Sequence, residues 1–190
     1  MRIDNLLLIT GNPGKAEEFE YLINLDKLHF SHKKIDLPEI QSAEIEEIGR
    51  YKTEMALSHF SGVAPYDAVL TDDTGLYCKA LNGLPGPFIK WFLDKLGAEG
   101  IYELVDGKVT DTRAVCLLTL GIIKTGEIVQ FLGEVDGHLV SPRGGGGFGW
   151  DIAFLPNGHQ KTYGEMTDHQ KNQISHRTLA VQKMREWLLS

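Results

Sequence analysis

Apolar and polar positions switch between two periods along this chain. Residues 3–9 hold a short apolar run that closes in the turn TGNPGK (Thr10 to Lys15), the pattern of a buried strand. Lys15–Asn24 carries helical spacing, and HFSHKKIDL, ending at Pro38, predicts a second strand. From Glu46 to Phe60 the spacing is helical again, and AVLTDDTG, from Ala68, is strand-like with a polar end. LPGPFIKWFLDKLG predicts a helix that begins after Gly86, with Pro87 in its first turn and Gly97 as its stop. RAVCLLTLGI, from Arg113, does not alternate, as in a strand buried on both faces. EIVQFLGEVDGHLV predicts antiparallel strands, PRGGGG a flexible break and FGWDIAF a strand. Thr167 or Asp168 can cap a final helix running nearly to Ser190. Helices and strands mix without strict βαβ alternation, which predicts an α/β fold with a mixed sheet and a cleft.

The chain has 190 residues, enough for a single domain, 1–190, or one domain with two lobes. Its net charge of −7 argues against a nucleic-acid partner yet permits a small anion held by a few placed lysines. The apolar run near residue 5 is too short for a signal peptide or a membrane helix. Cys78 and Cys116 lack metal-ligand spacing. Together these predict a cytoplasmic protein with no membrane partner and no structural zinc.

TGNPGK invites comparison with a P-loop, but only Asn12 and Pro13 separate Gly11 from Gly14-Lys15, and Ala16 follows where a metal-binding hydroxyl is needed. It is not a Walker loop. The start of the following helix still offers N–H groups and a positive dipole end to an anion, beside Thr10, Asn12 and Lys15. That leaves a phosphate site or a plain strand–turn–helix connection.

Two cations fall on apolar stripes. Ile174, Arg177, Val181, Met184 and Leu188 share one helix face, and Ile48, Lys52, Met55 and His59 share another. Arg177 faces either an internal ion pair, with Asp151 a candidate partner, or a ligand pocket together with Ser175 and His176. Lys52 either snorkels along apolar surface or serves a polyanion. Asp72, Asp73 and Glu39 supply carboxylates of the kind that hold magnesium beside phosphates, although adjacent aspartates also suit turns. Phe148 and Trp150 can stack on a base or fill a core.

TGNPGK, DLPEIQ, TDDTGL, LNGLPGPFIKWF, SPRG, FGWD and KNQISHR stand in the order found in the inosine triphosphate pyrophosphatases. The chain resembles these Ham1-like NTP pyrophosphatases over nearly its whole length. The resemblance implies an elongated α/β fold: a long central mixed β-sheet flanked by helices, two lobes with a central substrate cleft, and a homodimer. It implies Mg2+-dependent hydrolysis of ITP, dITP and XTP to the monophosphate and pyrophosphate, with Mn2+ as a substitute. Thr10, Gly11, Asn12, Lys15, Lys52, Thr74 and Lys90 would then bind phosphates, Lys15 also serving catalysis. Glu39, Asp72 and Asp73 would hold metal, with Asp73 orienting or deprotonating the attacking water. Phe148 and Trp150 would sandwich the base, and Gly149, Asp151, Lys171, Ser175, His176 and Arg177 would complete the base and sugar site. Three positions depart from the family pattern: Ile152 stands for a common proline, Gly164 for a common alanine, and Gly144–Gly147 is a long glycine run expected to loosen the base-side loop. The alternatives are a nucleotide sensor without turnover and a pyrophosphatase for another modified nucleotide. The full set of acids disfavours the first, and the purine-type SHR edge the second.

Overall fold

The computed structural model describes residues 2–60 and 65–190. Its strands are β1 (Asn5–Ile9), β2 (His29–Lys33), β3 (Ala68–Cys78), β4 (Pro85–Gly86), β5 (Asp111–Ile122), β6 (Ile128–Leu139) and β7 (Phe154–Pro156). Its helices are α1 (Pro13–Ile23), α2 (Ile45–Phe60), α3 (Ile89–Glu103), α4 (Asp168–Lys171) and α5 (His176–Leu189). The strands form one seven-stranded sheet in the order β2-β1-β3-β5-β6-β7, with β4 paired to β3. β1 runs parallel to β2 and β3, while β3–β4 and β6–β7 are antiparallel, so the sheet is mixed.

The chain divides into two compact units. The first comprises Met1–Asp73, Leu117–Leu132 and Ala180–Ser190; the second comprises Thr74–Cys116 and Gly133–Leu179.

In the first unit β1 is a continuous apolar run because it is covered on both faces: Leu6, Leu7 and Leu8 are fully buried. Leu7, Ile9 and Val69 pack with Ala56 and Phe60 of α2. α2 approaches β5 so closely that a Cβ on Gly49 would stand 2.6 Å from Thr119 Oγ1, and one on Gly121 would stand 2.7 Å from Thr53 Cγ2. Buried Thr53 and Thr71 share a 2.9 Å hydrogen bond. These contacts fix the helix that carries Lys52 against the strand that carries Asp72 and Asp73. β2 stops at Lys33 rather than near Pro38, because β1, its partner in the sheet, ends at Ile9 opposite it.

In the second unit Leu76, Ile89, Ile101, Leu139, Trp150, Phe154 and Tyr163 belong to one core cluster. α3 begins at Ile89, after the predicted first-turn Pro87. Gly97, at φ 66° and ψ −179°, interrupts it as a stop residue should, but helix resumes to Glu103, burying Ala98 and Ile101.

β6 is one twelve-residue strand rather than several. A short turn, closed by the Ile122 amide donating to the Glu127 carbonyl at 2.8 Å, joins it to its neighbour β5. A connection so short permits only antiparallel pairing. FGWDIAF is strand only from Phe154; Asp151–Ala153 is a 3-10 turn. The expected single C-terminal helix is two helices, because two caps compete. Thr167 forms a capping box with Gln170 at the start of α4. Ser175 Oγ then accepts from the Thr178 amide at 3.1 Å and starts α5.

Candidate active site

The first unit gathers the TGNPGK turn and the candidate acidic residues. Asn12 caps α1: its side-chain oxygen accepts from the Lys15 amide at 3.2 Å, and its own amide donates to Thr10 Oγ1 at 3.1 Å. Pro13 has no N–H, so of the four amides that open a helix only that of Gly14 remains for a ligand. The sequence reading of several free N–H groups here is corrected accordingly. Asn12 and Thr10 shape the turn, and the dipole and the Lys15 ammonium supply its positive charge.

Lys15 Nζ lies 2.5 Å from Asp72 Oδ2, and the Asp72 side chain is only 2% exposed. Lys52 Nζ bridges Glu39 Oε1, at 2.7 Å, and Asp73 Oδ1. Lys52 thus points inward, as its stripe position indicates. Burial alone would lower the pKa of its ammonium, but Asp73 and Glu39 outweigh this and hold it above the ordinary value. Burial drives the Asp73 carboxyl above its ordinary value, against the pull of Lys52, and the Asp72 charge adds to the rise. Asp73 Oδ2 is buried without a hydrogen-bond partner, an expensive arrangement unless water or a ligand completes it.

Among the described residues no three His, Cys, Asp or Glu side chains converge on one point. Each candidate carboxylate instead rests on a lysine. The donor set still fits magnesium, which takes one or two carboxylates and completes its shell with phosphate and water. Asp73 Oδ2 is an oxygen ready for that purpose.

The second unit gathers Phe148, Trp150 and the segment KNQISHR. Asp151, 2% exposed, uses Oδ2 twice: it accepts from Lys171 Nζ at 2.7 Å and from the Phe148 amide at 2.8 Å. Lys171 thus pairs with Asp151, the carboxylate that the sequence offered as a partner for Arg177. Lys171 Nζ stands 4.6 Å and Arg177 Cζ 5.6 Å from the Phe148 ring centroid. Arg177 is 1% exposed, as its stripe position indicates. Trp150, 5% exposed, packs edge-on against Phe154 and tilted against His176, at 5.4 and 5.3 Å between ring centroids. Phe148 is far more open, at 40% exposed. Ser175 acts as the α5 cap. Thr74 and Lys90 also lie in this unit: Thr74 Oγ1 is buried without a hydrogen bond, and Lys90 Nζ sits 5.6 Å over the Trp91 ring. Sequence reasoning missed Tyr163, fully buried and stacked on His176 at 6.1 Å. Its legible signal was the capping box Thr162–Glu165 around it.

The glycine run is fitted rather than loose. The Arg143 amide donates to the Ile152 carbonyl at 2.7 Å and the Gly146 amide to the Gly164 carbonyl at 2.9 Å. Thr162 Oγ1 donates to the Arg143 carbonyl at 3.0 Å. A Cβ on Gly144 would fall 2.3 Å from the Gly164 oxygen, and one on Gly147 2.3 Å from Asp151 Oδ2, whereas one on Gly145 meets nothing. Gly164 and Ile152 also pack against one another. A Cβ on Gly164 would stand 2.6 Å from Ile152 Cγ2 and 2.7 Å from Ile152 Cα.

The TGNPGK turn and the lysine-held carboxylates thus lie in the first unit, and an aromatic and cationic cluster lies in the second. The family model for the Ham1 family matches residues 6–187, and the chain belongs to that family. It is 40% identical over 191 residues to the inosine triphosphate pyrophosphatase of Schizosaccharomyces pombe, covering 99% of this chain and 97% of that one. It is 41% identical over 182 residues to the Emericella nidulans inosine triphosphate pyrophosphatase, covering 95% and 94%. Among solved structures it is similar to a HAM1 protein from Coxiella burnetii, with TM-score 0.81, 25% identity and 100% and 99% coverage. The Staphylococcus aureus Ham1 protein matches with TM-score 0.76, 26% identity and 97% coverage of both chains.

Proposed function

We propose that this protein hydrolyses the non-standard purine triphosphates ITP, dITP and XTP to the nucleoside monophosphate and pyrophosphate, clearing them from the nucleotide pool. The observation that carries this reading is the buried Asp73 carboxylate, one oxygen held by Lys52 and the other without a partner. The names of the curated relatives support the substrate class.

Asp73, whose Oδ2 is buried without a hydrogen-bond partner, would orient the attacking water and accept its proton. Attack at the α-phosphorus releases pyrophosphate, so the reaction asks chiefly for positioning and electrostatics and needs no protein nucleophile. Glu39, Asp72 and Asp73 would hold a magnesium ion, with manganese a substitute, and the ion would neutralise charge on the phosphates. In the first unit Lys15 and Lys52 would exchange their carboxylate partners for phosphate oxygens, with Thr10, Gly11 and Asn12 adding contacts from the turn; in the second unit Thr74 and Lys90 are the phosphate-binding candidates. Phe148 offers the open stacking surface, with Trp150 as the second ring and Gly149 turning the chain between them. Asp151 and Lys171 hold that loop in place. Arg177 and His176 donate to O6 of hypoxanthine or xanthine, while Ser175 fixes the start of the helix that carries them. Adenine presents an amino donor at that edge and leaves those donors unpaired. The resemblance also supports a cytoplasmic homodimer, and among the described residues no helix is long and apolar enough to cross a membrane.

Product analysis tests the reaction type. With ITP and magnesium, inosine monophosphate and pyrophosphate should appear in equal amounts, and chelation of the metal should stop both. Orthophosphate as the first product would place the attack at the γ-phosphorus and overturn the scheme.

A further inference from the structure

Lys34 is held beside the phosphate turn, although neither its spacing nor the family motifs drew attention to it. The Thr10 amide donates to the Lys33 carbonyl at 3.1 Å, which brings the residue after β2 against the loop. A Cβ built on Gly11 would lie 3.3 Å from both Lys34 Cγ and Cδ and 3.4 Å from Cε. Three successive methylenes of Lys34 therefore run across the bare Cα of Gly11. The two lysines already assigned to this unit are committed to carboxylates, Lys15 to Asp72 and Lys52 to Glu39 and Asp73. Lys34 makes no ion pair among the described residues. Three carboxylates thus face two lysines where a polyanionic tail is to bind, and the uncommitted ammonium lies on a stem that crosses the phosphate turn.

We propose that Lys34 is a further phosphate-binding residue, carried over Gly11 to engage the triphosphate tail. The inference rests on the triphosphate reading above. It also gives Gly11 a reason: a methyl there would push the Lys34 stem aside by a few tenths of an ångström. Because that stem is flexible, the result is a displaced ammonium rather than a broken fold.

The test compares Lys34→Met, which keeps the stem and removes the charge, with Lys34→Arg and with Lys124→Met, which removes an exposed charge elsewhere. For Lys34→Met the KM for ITP should rise about tenfold with kcat within about threefold, the size of one charge-assisted contact. Binding of inorganic tripolyphosphate, measured by calorimetry, should weaken by a similar factor, and the salt dependence of kcat/KM should become shallower. Lys34→Arg should restore both, and Lys124→Met should change neither. Gly11→Ala should raise KM more in the native background than in Lys34→Met. Unchanged KM and tripolyphosphate affinity in Lys34→Met, with the native protein active, would overturn the role of Lys34 alone. An equal shift in Lys124→Met would reduce it to net charge and also overturn it. A native protein that neither turns over ITP nor binds tripolyphosphate would remove the triphosphate reading itself.

Discussion

Asp73→Asn should lower kcat for ITP by two to four orders of magnitude, the range expected for losing a positioned general base. Asparagine keeps the shape, and its oxygen can still accept from Lys52, which also retains Glu39 at 2.7 Å. The lysine is therefore not stranded as an unpaired buried charge, and the fold should survive. Affinity for a non-hydrolysable imidotriphosphate analogue should stay within a few-fold of the native value. The split between turnover and binding is diagnostic, because general misfolding would lower both. Turnover near the native rate would remove Asp73 from the chemistry and leave its unpartnered oxygen without a function.

The glycine run yields the second large effect, with its control built in. Gly147 has φ +71°, a conformation that costs a residue with a side chain roughly 1–2 kcal/mol. In Gly147→Ala the new methyl would also meet Asp151 Oδ2 at 2.3 Å, the atom that holds both Lys171 and the Phe148 amide. Disturbing one partner of a buried ion pair costs about 3–5 kcal/mol when the pair is lost outright. A loss near 3 kcal/mol would lower the melting temperature by roughly 6–12 °C in a chain of this size. The KM for ITP should rise by on the order of tenfold or more as Phe148 shifts, measured beside kcat. Gly145→Ala, whose methyl meets nothing within 4 Å, should leave both readings within error. If the two variants behaved alike, the run would be the loose connection that its sequence suggests.

That contrast marks where the sequence is informative. Stripes spaced at three and four residues placed Lys52 and Arg177 inward correctly, because helical period and burial are local properties. β5 read as doubly buried for the same reason. The glycines read as flexibility because their reason is not local. Gly144 and Gly147 are set by Gly164 and Asp151, and Gly164 in turn by Ile152. The C-terminal helix was read as one because its break depends on the Ser175 hydroxyl choosing the Thr178 amide, a choice invisible to periodicity. The carboxylates are legible as residue types, but their lysine partners lie far away in sequence and emerge only when β3 lies beside α1 and α2. Lys34 was missed because a lysine beyond a strand end has no pattern of its own; the bare Cα of Gly11 reveals it.

The central claim is tested most directly by pyrophosphate release, with magnesium, from ITP, XTP, dITP, GTP, ATP and CTP compared side by side. Fast turnover of the first three and slow turnover of the others is the expected result. Equal rates on ATP or CTP would contradict the purine-edge selectivity assigned to Arg177 and His176. Tight binding of ITP without release from any of the six would make the protein a sensor rather than an enzyme.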